Sequence, residues 1–325
     1  MPAMTLALPA DHSVSPSTRA RMMAAVPDNT RRAYSRAWAR FEAWCGEARR
    51  TPLPATGETL AEYTAALASA DLSPATIEQA LAAIRTAHRA AGFADQPDTQ
   101  AARMVLRGHR RARADAGQRD RQAPPITIEA LRAMVDTCDP ETLIGLRDRV
   151  VLVLGLAMMG RRSELANLAI ADVTETDDGL EVFVRVSKTD QDARGAVVAV
   201  PHGSHPGTDP VRLVRAWRQA LAEQGITEGH LLRSITRHGR FGAALSVDAI
   251  SDVVRAAAIR AKLPEADRYS AHSLRAGGAT AAYKAGAPVS VIAAHGRWSP
   301  ASPVVLSYVR SVDRWKDNPM RGIGL

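Results

Sequence analysis

Near its C-terminus the sequence reads Ala271-His272-Ser273-Leu274-Arg275, then Gly296-Arg297-Trp298, then Ser307-Tyr308-Val309-Arg310. A histidine and an arginine at i and i+3 share a helix face. His272 and Arg275 can therefore reach one phosphate-sized anion, and Tyr308 can attack it. A tyrosine hydroxyl with a pKa of about 10 is a weak nucleophile, so this chemistry needs nearby cations and a proton acceptor. It also needs a second basic group and an acid for the leaving oxygen. Gly160-Arg161-Arg162-Ser163-Glu164-Leu165 supplies Arg161, with Glu164 three residues on and able to hold the guanidinium. Ser187-Lys188-Thr189-Asp190-Gln191 supplies Lys188, one of only four lysines among 42 basic residues. Where the chain otherwise writes arginine, it has written the side chain whose pKa can fall far enough to release a proton. Singly, His272 fits a structural histidine, Trp298 a core aromatic, and Arg161–Glu164 a structural ion pair. In the order Arg161, Lys188, His272, Arg275, Trp298, Tyr308, each has its own role in phosphoryl transfer to tyrosine.

The elements that must position these groups are mostly helical. Residues 143–159 are apolar on all sides in their second half, which predicts a core helix ending just before Arg161. Ser270 is placed to cap the helix carrying His272 and Arg275, and Lys284, Gly286 and Pro288 close it. A short helix is predicted over 289–294, and Ser302-Pro303 opens a last helix bearing Tyr308. Val182, Val184 and Val186 alternate with Glu181, Phe183 and Arg185, a half-buried strand whose partner is 196–200, with Lys188 at the near end of the hairpin. Helices are predicted at 127–136, 209–224 and 246–262, with a basic loop at 233–241.

Upstream, residues 1–16 lack periodicity and are expected to be a disordered arm. A helix from 28 places Tyr34, Trp38, Phe41 and Cys45 on one face and Arg32, Arg36 and Arg40 on the other. Further helices are predicted at about 60–68, from Ser73-Pro74 to near Gly92, and around Met104 to Leu106. Residues 17–106 thus form a helical domain. Residues 107–125, with six arginines and then Pro124-Pro125, are expected to be a basic linker. Residues 126–325 form the second domain.

The net charge of +8 in 325 residues favours a polyanionic partner such as nucleic acid. Basic and acidic side chains number 17 and 12 in residues 1–123, and 25 and 22 beyond. The excess leans to the front. Two cysteines, Cys45 and Cys138, cannot make a disulfide framework or a cysteine-rich zinc site. The longest apolar run, residues 150–159, is too short to span a bilayer, and the first residues lack the charged and apolar regions expected of a signal peptide. A cytoplasmic, DNA-associated protein is the expectation.

With these residues assembled, the chain resembles a tyrosine recombinase of the phage integrase family. The resemblance runs from Asn29-Thr30-Arg31-Arg32 and Trp44-Cys45, through Asp115-Ala116-Gly117 and Gln122-Ala123, to Tyr308. It departs from the usual spacing by one extra residue between Trp298 and Tyr308. It implies a mainly α, two-domain DNA clamp: a helical core-binding domain plus a catalytic domain with a small antiparallel sheet. It implies six catalytic residues, Arg161, Lys188, His272, Arg275, Trp298 and Tyr308, supported by Glu164. Tyr308 would form a 3′-phosphotyrosyl link, Arg161 and Arg275 would bind nonbridging oxygens with His272 and the Trp298 indole as further donors, and Lys188 would protonate the 5′ oxygen. It further implies a homotetramer on two DNA duplexes, no metal or nucleotide cofactor, and an apolar tail, residues 320–325, docked on a neighbouring protomer. DNA contacts are expected from Thr30, Arg32, Arg36, Gln79, Arg107, Arg110, Arg111, Arg113, Arg119 and Arg121. A type IB topoisomerase or telomere resolvase would share the chemistry, and a non-catalytic architectural DNA-binding protein is the alternative of a different class.

Overall fold

The computed structural model describes residues 14–24, 28–93, 97–118, 123–185, 195–299, 304–306, 308 and 320. Its contacts divide the chain into two units, Met1–Arg121 and Gln122–Leu325. The first is helical: α1 (Pro16–Ala24), α2 (Asp28–Glu47), α3 (Gly57–Ser69), α4 (Pro74–Ala90) and α5 (Gln100–Asp115). Thr56 and Ser73 cap α3 and α4 by accepting N–H bonds from Thr59 and Thr76, each at 3.2 Å. Phe41 and Cys45 of α2 are buried with Leu60, Tyr63, Ile77 and Ile84. Tyr34 and Trp38, expected on the same face, are half-buried.

Two expectations need correction. Residues 107–115, assigned to a linker, are the second half of α5. Arginine and alanine are good helix formers, and polar contacts rather than apolar packing dock this stretch. His109 Nε2 donates to the Leu72 carbonyl at 2.9 Å, Arg113 bonds Asp71 at 2.7 Å, and Arg110 pairs with Glu78. The basic segment 233–241, assigned to a loop, is a hairpin of β4 (Arg233–Ile235) and β5 (Phe241–Ala244). Gly239 takes φ +75° in the turn, and Phe241 packs its ring 5.6 Å from Trp217. Of the expected arm, residues 1–13 lie outside the described residues, and Pro16 already belongs to α1.

The second unit contains α6 (Ile128–Asp136), α7 (Leu143–Ala157), α8 (Arg162–Asn167), β1 (Val173–Thr176), β2 (Gly179–Val184), β3 (Ala196–Pro201), α9 (Pro210–Glu223), α10 (Val247–Arg260), α11 (Ala271–Lys284) and α12 (Val289–His295). The strands form an antiparallel sheet in the order β1-β2-β3, pairing Val182 with Val198 and Val184 with Ala196. Val182, Val184, Val198 and Val200 point inward, while Glu181 and Phe183 face out. Val186 and Lys188 lie outside the described residues.

Helix α7 is the centre of this unit. Val150 to Leu154 are each at most 3% exposed, and α6, α9, α10 and α11 pack round the helix. On α11, Gly277 and Gly278 allow backbone to approach backbone. A Cβ at 277 would stand 2.3 Å from the Ile126 carbonyl, and one at 278 would stand 2.5 Å from the Leu156 carbonyl. Overpacking of this kind costs about 1–3 kcal/mol. The glycine pair lays the helix of His272 and Arg275 directly against the end of α7.

Candidate active site

The last carbonyls of a helix have no partner within it and carry partial negative charge. Helix α7 ends in a left-handed turn at Met159 (φ +47°), where the Met159 N–H donates to the Leu156 carbonyl and the Gly160 N–H to the Gly155 carbonyl, both at 3.0 Å. Three carbonyls left bare by this closure accept from cationic or imidazole side chains. His295 Nε2 donates to the Ala157 carbonyl at 2.8 Å. Both terminal nitrogens of Arg297 donate to the Met158 carbonyl at 3.3 Å. Arg275 Nη1 donates to the Met159 carbonyl.

Helix α8 begins immediately beyond, with Arg161 as its N-cap. Glu164, in the first turn, accepts from the Arg161 backbone N–H at 2.9 Å and from Arg161 Nη1 at 2.6 Å. Its second oxygen also accepts from Arg297 Nη2 at 2.7 Å, and its side chain is 1% exposed. Arg161 Nη2 donates to the Arg297 carbonyl at 3.0 Å. Burial alone would raise the Glu164 pKa. Arg297 foremost, and then Arg161, overcome that and hold it below the usual carboxylate value.

Arg275 is 3% exposed, and its guanidinium carbon lies 3.8 Å from the Trp298 ring centroid. Its Nη2 is buried with no hydrogen-bond partner among the described residues. Burial and the neighbouring Arg161 lower its pKa to about 9, so it stays charged at neutral pH. Gly296 gives Trp298 its place, since a Cβ there would stand 1.7 Å from the indole.

His272 lies one turn before Arg275 on α11, where the Ser270 N–H donates to Ser273 Oγ at 3.2 Å at the helix start. Its Nε2 is 2.8 Å from the Tyr308 hydroxyl. Burial, then Arg275, lowers the His272 pKa below 6.5 and favours the neutral ring. Burial raises the Tyr308 pKa and Arg275 opposes the rise. The Tyr308 ring sits 6.0 Å from Trp298, beside a cluster of Met159, Ile292, Ala293, Trp298 and Val305.

Arg161, Glu164, His272, Arg275, Trp298 and Tyr308 are thus brought together. Lys188 lies outside the described residues. Sequence reasoning missed Arg297 and His295. Arg297 stood in a quoted motif, but only burial reveals its contacts. The expected DNA-contacting residues lie in the first unit. Thr30 is half-buried on α2, Arg32 and Arg36 are exposed on α2, and Gln79 is exposed on α4. Arg107, Arg110 and Arg111 are exposed on α5, where Arg113 turns toward Asp71. Arg119 and Arg121 lie outside the described residues.

Glu164 is a buried carboxylate shared by the buried Arg297 and the half-buried Arg161, and removing it takes a pairing charge from both. Glu164→Ala is expected to destabilise the protein by about 3 kcal/mol or more, read as a lowered guanidinium-denaturation midpoint. A loss below about 1 kcal/mol, as for an exposed pair, would show that the network is not a buried one.

The phage integrase family matches residues 125–314. The integrase/recombinase xerD homologue of Selenomonas ruminantium is 32% identical over 308 residues, which cover 94% of this chain and 89% of that protein. The recombinase Cre of Escherichia phage P1 is 26% identical over 292 residues, 86% and 82% of the respective chains. The fold is similar to that of the Tn1549 transposon integrase solved with transposon right-end DNA, with a TM-score of 0.59 at 14% identity, covering 90% of this chain and 92% of that one. The family match takes in every residue of the cluster around α7, and together with a relative similar along nearly the whole chain it establishes that this protein belongs to the phage integrase family, the site-specific tyrosine recombinases that cleave and rejoin DNA.

Proposed function

We propose that the protein recombines DNA at specific sites through a phosphotyrosyl intermediate formed on Tyr308. The observation that carries this reading is a hydroxyl 2.8 Å from a neutral-favouring imidazole, beside a buried arginine with a donor nitrogen unpartnered among the described residues. In cleavage the Tyr308 oxygen bonds to phosphorus as the bond from phosphorus to the 5′ oxygen breaks. The tyrosyl proton passes to His272 Nε2, and Lys188 protonates the departing 5′ oxygen. Arg161 and Arg275 hold the nonbridging oxygens, where charge grows, with Trp298 as a further donor and as the ring that keeps Arg275 in place. The phosphotyrosyl link retains the phosphodiester's bond energy, so a 5′ hydroxyl of a second duplex can reverse the step without a nucleotide cofactor. Four copies acting on two duplexes supply the four cleavages that a full exchange requires. Grip on the duplex comes from Thr30, Arg32, Arg36 and Gln79, and from the exposed α5 arginines 107, 110 and 111, which recur at i, i+3 and i+4 on one helix face. Arg113, Arg119 and Arg121 complete the proposed set.

Incubation with a cognate half-site followed by denaturing gel electrophoresis is expected to give a covalent DNA adduct that is absent in Tyr308→Phe. An adduct that persists would move the nucleophile elsewhere. Because His272 must be neutral to accept the proton, and its pKa lies below 6.5, adduct formation at limiting DNA should hold steady near neutrality and fall only on the acid side of that value. A rate independent of pH across the acid range would contradict the assignment.

The role of Lys188 is separable. An alkoxide leaves poorly without a proton, whereas a thiol of pKa about 8.5 leaves unaided. Lys188→Arg is expected to bind DNA yet cleave poorly, and to recover on DNA whose bridging 5′ oxygen is sulfur. Arg275→Ala should not recover there. Rescue of both variants or of neither would remove Lys188 as the acid.

A further inference from the structure

Arg297 is unusual in three ways at once. It is an arginine 8% exposed, and it stands in the left-handed backbone region at φ +57°, which residues with a Cβ adopt at a cost. It also touches nearly every group that sets the geometry of the cluster. The backbone explains its location. α12 closes as α7 does: the Arg297 N–H donates to the Ala294 carbonyl at 3.1 Å, and the Trp298 N–H donates to the Ala293 carbonyl at 2.9 Å. The left-handed residue of such a closure sends the chain back across the helix end. Here that reversal delivers Trp298 onto Arg275.

The side chain then ties this turn to two other elements. Nη2 reaches Glu164 at 2.7 Å, both terminal nitrogens reach the Met158 carbonyl, and Nη1 donates to the His295 carbonyl at 2.8 Å. The Arg297 carbonyl meanwhile accepts from Arg161 Nη2. Two of the groups that hold Arg161 thus depend on Arg297: Glu164, which its guanidinium binds, and its own carbonyl, in a turn its guanidinium ties to the Met158 and His295 carbonyls. A side chain needed only to seal the α12 turn would have no reason to share the carboxylate that orients Arg161.

We infer that Arg297 is a positioning residue for phosphoryl transfer, locking the orientation of Arg161 through Glu164 and through its own carbonyl while it fixes Trp298 over Arg275. It touches no reacting atom. The inference rests on Arg161 and Arg275 being the phosphate-binding pair proposed above. The forked guanidinium is essential to it, because a lysine ammonium cannot engage a carboxylate and two carbonyls on separate elements with the same planar geometry. A misplacement of the order of 1 Å in a positioned group costs about a hundredfold in rate, so loss of the fork should be read in the cleavage step rather than in DNA affinity.

Arg297→Gly suits the test, since glycine accepts the left-handed backbone and only the side chain is lost. In the full-length protein, adduct formation at saturating half-site is expected to fall about tenfold to a hundredfold, with the Kd for the half-site and the circular dichroism spectrum unchanged. In an Arg161→Lys background the same substitution should cost less than about twofold, because its effect runs through Arg161. Wild-type cleavage by Arg297→Gly would overturn the inference, as would a full additional loss in the Arg161→Lys background, which is the outcome of a merely structural role. If Arg297→Gly melts below the assay temperature, Arg297→Lys takes its place: a loss of about tenfold with unchanged affinity supports the inference, and a wild-type rate overturns it. Normal cleavage by Arg161→Lys alone would instead bring down the site assignment beneath it.

Discussion

The structure turns on the carbonyl end of α7. Three guanidiniums and an imidazole converge on carbonyls at residues 157–159 and on Glu164, which lies one turn into the next helix. Buried charge is costly unless it is paired. Here Arg161 and Arg297 share the Glu164 carboxylate, while among the described residues Arg275 meets the carbonyl end of a helix, which contributes only about half a negative charge. Burial, and then the neighbouring Arg161, lower the Arg275 pKa, and its Nη2 has no hydrogen-bond partner among the described residues. In the proposed reaction a DNA phosphate would bring an anion to Arg275, and the charge that builds on its nonbridging oxygens during transfer would add to it. A site short of negative charge before the substrate arrives binds the transition state better than the ground state.

The remaining features follow from keeping this arrangement close and rigid. Gly277 and Gly278 let α11 approach α7 and the Ile126 backbone, which puts Arg275 within reach of the Met159 carbonyl. Two helix closures, at Met159 and Arg297, place left-handed turns side by side, and each accepts the backbone cost of a non-glycine residue there. Gly296 gives the Trp298 indole room to lie over Arg275. Tyr308, its ring 6.0 Å from the indole, meets His272.

What could be read in the sequence was local. His272 with Arg275 and Arg161 with Glu164 are pairs three residues apart on helices, and Tyr308 and Trp298 were picked out by residue type and order. The core character of α7 followed from its unbroken apolar run. Arg297 and His295 escaped because their partners are carbonyls at residues 157–159, and no local pattern encodes which buried carbonyl a side chain will meet. The second half of α5 and the β4–β5 hairpin escaped for a related reason. The first is a basic stretch docked by polar contacts, and the second a short basic hairpin held by its turn and by Ile235 and Phe241 against the core, so neither carried the hydrophobic periodicity on which sequence reasoning relies.

If the buried Arg275 charge is there to match the scissile phosphate, its importance should vanish when the phosphate is made neutral. Adduct formation by the wild-type protein and by Arg275→Ala can be compared on a normal half-site and on one with a methyl group in place of one nonbridging oxygen of the scissile phosphate. On the normal site the variant should be slower by about a hundredfold or more. On the neutral linkage the gap should shrink by about tenfold or more. An equal deficit on both substrates would contradict charge matching and leave Arg275 a structural role at the end of α7.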